Sequence, residues 1–239
     1  AASSSAMPSD SKMRSMRSIS CTWYCTVRRS SKHIIAFGPH ALGDYFTETD
    51  FYGAYADGAR MIQHGHLVPS RYGVVGPGYE LALALVGLVV RDLFRAAEVI
   101  AIVSSALTAW VWFRLLRARV SAPAGALATL FLATNAFFFR FGYSATTDAF
   151  AILLQAVALE LLLTRRAPRA LALAGAIAGY AFLTRYNAAV LLPAGLAAIL
   201  LGGTLAERRG PAALAFAGGF LAPVVACGFF SLGRGFASA

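Results

Sequence analysis

The chain has 239 residues, of which 58% are hydrophobic and 13% charged, and its formal net charge is +10. A water-soluble domain carries about 25% charged residues, so this chain has too few to cover a water-facing surface, and a soluble globular domain is excluded. The basic excess is not a nucleic-acid footprint either. Most arginines stand in short clusters between apolar runs, where they orient membrane helices. Membrane lipids are therefore expected as partners and nucleic acid is not.

Residues 1–42 open the chain as a basic, Ser-rich tail, read as disordered or as a degenerate first helix, with no apolar core long enough for a signal peptide. Its most apolar part is "HIIAFGPHAL". The chain reads as a fragment that lacks a first membrane helix and stops soon after its last apolar run. Cys21, Cys25 and Cys227 have neither zinc nor disulfide spacing. His64-x-His66 has no carboxylate partners to complete a metal site. No metal or cofactor is expected.

Residues 43–95 form the next segment. "GDYFTETDFYGAYADGARMIQHG" places Asp44, Glu48, Asp50 and Asp57 among aromatics, in a chain with 11 acidic residues altogether. "YELALALVGLVV" (79–90) is too short to cross a bilayer and suits an interfacial helix. This segment is read as an external loop carrying short interfacial helices, with Asp44 and Asp57 as solvated loop residues.

From residue 96 to 239 the chain alternates apolar runs with charge. Helices are predicted at 96–114, 124–140, 148–164, 169–184, 187–205 and 211–231. Several are shorter than the roughly 20 residues of a full span. Gly175-x-x-x-Gly179 is read as a face for close helix packing. Glu160, within an apolar helix and a turn from Gln155, is expected to reach toward Arg165 or to pair inside the bundle. The fold class is all-α, a polytopic transmembrane bundle with an external juxtamembrane loop.

Loop charge sets the orientation. Arg114, Arg117 and Arg119, then Arg165, Arg166 and Arg169, then Arg208 and Arg209, occupy alternate loops, which the positive-inside rule makes cytoplasmic. The intervening loops, "RFGYSATTD" (140–148) and "TRYN" (184–187), are then external, on the same side as the opening acids. Asp148 begins a helix there, where it either caps free N–H groups or does chemistry. Arg140 and Arg185 flank it, either as anchors that snorkel or as cations for a phosphate. A permease is the alternative reading of such a bundle, as is a catalytically inactive fragment. A transporter, however, collects polar groups near the midplane, and here they gather at one face.

Four stretches in order resemble the C-type (GT-C) membrane glycosyltransferases, in the branch of the protein O-mannosyltransferases, the aminoarabinose transferases of lipid A and the rhizobial core-sugar transferases. They are "TDFYGAYADGARMIQHG", "GPGYELALALVGLVVRDLFRAAEVIAIVSS", "FFFRFGYSATTDAFAILL" and "GAIAGYAFLTRYNAAVLLP", which together cover about residues 44–205. The resemblance implies transfer of a sugar from a polyprenyl-phosphate donor to a glycan, lipid or protein acceptor. It places the reaction on the extracytoplasmic face of a multi-pass membrane protein, in a bacterium the inner membrane, with inversion and without a cofactor. Asp50 takes the position of the catalytic base, with Glu48 and Asp148 as the other catalytic candidates. Arg71, Arg140 and Arg185 become donor-phosphate ligands, and Tyr52, Tyr55, Tyr79 and Tyr143 substrate contacts. The chain departs from the pattern in having Phe51 where several relatives have Glu. Val75 stands where aminoarabinose transferases have Lys, which leaves Arg71 as the nearest cation.

Overall fold

The aromatic opening stretch folds as helix. In the computed structural model, which describes residues 51–68, 76–201 and 209–235 within one compact unit, Phe51–Tyr55 forms a π-helical turn. It runs directly into α1 (Ala56–Gln63). Gly65, at φ 79°, ends α1. Its N–H bonds to the Ile62 carbonyl at 2.8 Å and the His66 N–H to that of Met61 at 2.8 Å, a left-handed cap that suits a residue without a Cβ. Asp57, expected in a loop, lies in the first turn of α1 beside Arg60, 3.8 Å away. α2 (Gly78–Gly87) covers the short apolar run as expected, and Gln63 Nε2 donates to the Ala84 carbonyl at 2.9 Å to tie α1 to it.

α3 spans Leu93–Arg119, longer at both ends than predicted. The charges around its start do not end the helix but begin it. Asp92 caps it by accepting from the Phe94 N–H at 2.9 Å, and Arg95 pairs with Glu98 one turn on. Arg117 and Arg119 sit in its last turn, where cations suit the dipole.

The predicted helix 124–140 is two helices, α4 (Ala122–Thr134) and α5 (Ala136–Phe141). Asn135 breaks them apart. It takes an extended conformation and its Oδ1 accepts from the N–H groups of Phe137 and Phe138 at 3.0 and 3.1 Å. α6 (Asp148–Thr164) and α7 (Pro168–Thr184) match expectation closely. The next run starts as a 3-10 turn, Tyr186–Val190, before α8 (Leu191–Leu201). α9 (Arg209–Gly235) closes the described chain, and among the described residues no strand occurs.

Among the described residues two helices are long and apolar enough to cross a membrane, α3 and the Arg209–Phe230 stretch of α9. Large side chains such as Leu130, Phe131, Leu214 and Phe229 stand exposed on the outer faces of α4 and α9, a surface suited to lipid. The small-residue face works as predicted. A Cβ on Gly175 would strike the Phe216 carbonyl, one on Gly179 the Phe220 carbonyl, and one on Gly219 the Ala172 carbonyl, so α7 and α9 touch backbone to backbone. Chain direction at the basic end is fixed by two contacts. Arg114 Nη2 pairs with Glu160 Oε1 at 3.1 Å, and Arg119 Nη2 donates to the Leu163 carbonyl at 2.7 Å. Glu160 thus pairs inside the bundle, with α3, and Arg114 also lies over the Trp110 ring at 4.7 Å.

Candidate active site

The opposite end of the bundle is built on α1, α2 and the starts of α3 and α6. Phe51, Ala56, Ala59, Tyr79, Leu83, Phe94, Ala97 and Ala145 form one buried cluster. A chain of rings extends it across the bundle. Tyr55 meets Tyr79 edge-on at 5.3 Å, Tyr79 lies 6.4 Å from Phe150, and Phe150 meets Tyr180 at 6.1 Å. Helices far apart in sequence are thereby held around one spot.

Two glycines let α2 reach α7. Gly76 and Gly78 press on the backbone of Leu183 and Thr184, so closely that a Cβ on Gly78 would stand 2.7 Å from Thr184 N. The Tyr180 hydroxyl donates to the Gly78 carbonyl at 2.8 Å, and the fully buried Thr184 hydroxyl donates to the Tyr180 carbonyl at 3.0 Å. α7 ends there. Arg185 turns to an extended conformation, with its N–H still bonded to the Ala181 carbonyl at 2.8 Å.

That turn delivers the Arg185 guanidinium to the start of α6, where Nη1 donates to Asp148 Oδ1 and, at 3.4 Å, lies within reach of Thr147 Oγ1. The pair is partly open, with side chains 37% and 31% exposed. Asp148 and Arg185, predicted on the same side, are thus direct partners. Thr147 does not cap α6 with its side chain, and Asp148 is the acid in that helix's first turn, at its positive end. Arg140 lies in the last turn of α5, where its carbonyl accepts from Ser144 Oγ at 2.7 Å. Tyr143 is half-buried, edge-on to Phe139 at 5.6 Å.

The tyrosines predicted as substrate contacts divide. Tyr52 is 47% exposed and stacks on Phe94 at 6.3 Å, an open aromatic surface. Tyr55 is half-buried. Tyr79 is fully buried in the core. Asp44, Glu48, Asp50 and Arg71 lie outside the described residues. Phe51, which follows Asp50, packs in the same cluster as Ala145, three residues before Asp148.

Beside this end runs an apolar groove of about 420 Å³, lined by Ile62, Leu67, Leu81, Leu183, Pro223 and Phe230 among others. It passes from α1 and α2 down between α7 and α9. Sequence reasoning missed the Tyr180–Gly78–Thr184 network and the burial of Glu80. An acid directly after "GPGY", within an apolar run, was the available signal for the latter. Among the described residues no three His, Cys, Asp or Glu side chains gather as a metal ion would require.

Among the described residues the fold is all-helical, with apolar side chains exposed on outer helix faces and an acid–arginine pair near tyrosines at one end. Residues 74–228, well over half of the chain, match the model of the dolichyl-phosphate-mannose-protein mannosyltransferase family, and the chain belongs to that family. It is a membrane glycosyltransferase of the GT-C type. No curated protein and no solved structure matches it.

Proposed function

We propose that this protein moves a sugar from a polyprenyl-phosphate donor to an acceptor hydroxyl on the extracytoplasmic face, with inversion at the anomeric carbon. The supporting observation is the convergence at one bundle end of the Asp148–Arg185 pair, the Phe51–Ala145 cluster and an apolar groove of about 420 Å³. In this reading residues 43–95 form the external catalytic segment and 96–239 cross the membrane repeatedly, in a bacterium the inner membrane.

Asp50 takes the acceptor hydroxyl proton as its oxygen attacks the anomeric carbon. The bond from that carbon to the phosphate oxygen breaks, and polyprenyl phosphate leaves with the electron pair. Arg185, oriented by Asp148, steadies the charge on the leaving phosphate, with Arg140 and Arg71 as further cations. Tyr52 and Tyr143 supply aromatic surface to the sugar or lipid head. Glu48 is the reserve base. The acceptor is a hydroxyl of a glycan, a lipid or a protein.

The full-length protein, reconstituted in liposomes, is incubated with a panel of polyprenyl-phosphate sugars and the product is measured. Transfer is expected with one donor class, and Asp50→Asn lowers it by roughly 100- to 10,000-fold with insertion unchanged. No transfer with any donor overturns the reading, and a fully active Asp50→Asn moves the base to Glu48.

A further inference from the structure

Glu80 is a carboxylate that the proposed chemistry leaves unused. It lies in the first turn of α2 and is 5% exposed, in a stretch where Gly76 to Glu80 are all buried. Taking an acid out of water is costly, and a glutamine would fill the same volume without a charge. Its surroundings indicate a use. Its carboxylate lies directly over Gly58 of α1, so that a Cβ there would overlap both carboxylate oxygens and their carbon. Gly58 is itself buried and comes eight residues after Asp50. On the other side of α2, the backbone of Gly76 and Gly78 presses on Leu183 and Thr184, the two residues before Arg185. Glu80 therefore stands where α1 meets the start of α2, next to the glycines that press on the end of α7 before Arg185.

We infer that Glu80 is a positioning residue for sugar transfer. Its carboxylate, seated on the bare backbone of Gly58, sets the placement of α1 and of the Phe51–Tyr55 turn before it, whose Phe51 packs with Ala145 near Asp148. The inference rests on the glycosyl-transfer reading above. A helix-start acid that merely complements the dipole of α2 would affect stability and leave the reaction alone.

The test uses the full chain in liposomes, with Glu80→Gln removing the charge at constant shape and Gly58→Ala pushing the carboxylate aside at constant charge. Two readouts are taken together: kcat and KM for the polyprenyl-phosphate donor, and amide hydrogen exchange of residues 51–63 against that of α6 and α7. Both variants are expected to speed exchange in 51–63 alone. Both should also lower kcat by roughly 10- to 100-fold, with KM moving less than about threefold. Unchanged exchange in 51–63 overturns the inference whatever the activity. Faster exchange with unaltered kcat also overturns it, since the contact is then structural only. If the unaltered protein transfers sugar from no donor, the glycosyl-transfer reading fails and the positioning role with it. The exchange data still decide whether Glu80 holds α1.

Discussion

The Asp148–Arg185 pair allows the roles of its two members to be separated. In one arrangement Asp148 acts through Arg185, holding the guanidinium against the donor phosphate; in the other each residue does its own work. A hydrogen bond between charged groups contributes about 1.5–3 kcal/mol. The exposures of 37% and 31% place this pair toward the lower part of that range, about 2 kcal/mol. If that orientation is used in the transition state, Asp148→Asn lowers kcat by roughly 30-fold, since 1.36 kcal/mol is tenfold in rate. Arg185→Gln removes the cation itself and is expected to cost about 100-fold or more. The double variant is expected to be no slower than Arg185→Gln, because the orienting residue then has nothing to orient. The assay is initial-rate sugar transfer by the reconstituted full-length protein, with each variant normalised to folded protein. Losses that multiply, to roughly 3,000-fold in the double variant, would refute the shared role and give Asp148 an independent one.

The remaining predictions concern stability. Gly179→Val drives two methyls and a Cβ into the Phe220 carbonyl and is expected to destabilise the α7–α9 seam by about 1–3 kcal/mol, lowering the melting temperature in detergent. Gly218→Ala, with open space around its new Cβ, should match or slightly exceed the unaltered protein in the same melt. Arg114→Ala leaves Glu160, 12% exposed, without its partner and should destabilise by about 2 kcal/mol. Adding Glu160→Gln to that variant is expected to restore part of the loss, and a double variant as unstable as the single one would count against the pairing.

Much of the bundle was legible because lipid imposes a simple rule. Apolar runs bounded by arginines gave α6 and α7 to within a residue, and the small residues of "LALAGAIAGYAFL" gave the close seam. Errors arose where one side chain overrides the pattern. Asn135 sits in an apolar run that reads as continuous helix, yet its amide binds two backbone N–H groups more favourably than the helix does. Asp92 and Arg95 look like a loop until the cap and the i,i+3 pair are seen. The candidate site was legible only in part. Asp148 and Arg185 could be placed on one face from charge alone, but their direct pairing depends on the extended backbone at Arg185. Tyr79 shows the opposite limit. The family resemblance makes it a substrate contact, and only the packing of α1 on α2 shows it enclosed.

The 17 residues of α6 and of α7 set a depth as well as a direction. At 1.5 Å per residue each is about 26 Å long, a few ångströms short of a hydrocarbon layer of about 30 Å. With both helices spanning as proposed, their paired ends at Asp148 and Arg185 lie slightly below the headgroup plane, in a small dip in the bilayer surface. A lipid phosphate would then meet the guanidinium without rising out of its leaflet, and an acceptor would have to come down to it. Inserting one extra turn in α7 would lift Arg185 by about 5.4 Å and carry it past that plane. The reach of the enzyme is thus written in the length of its helices as much as in the residues at their ends.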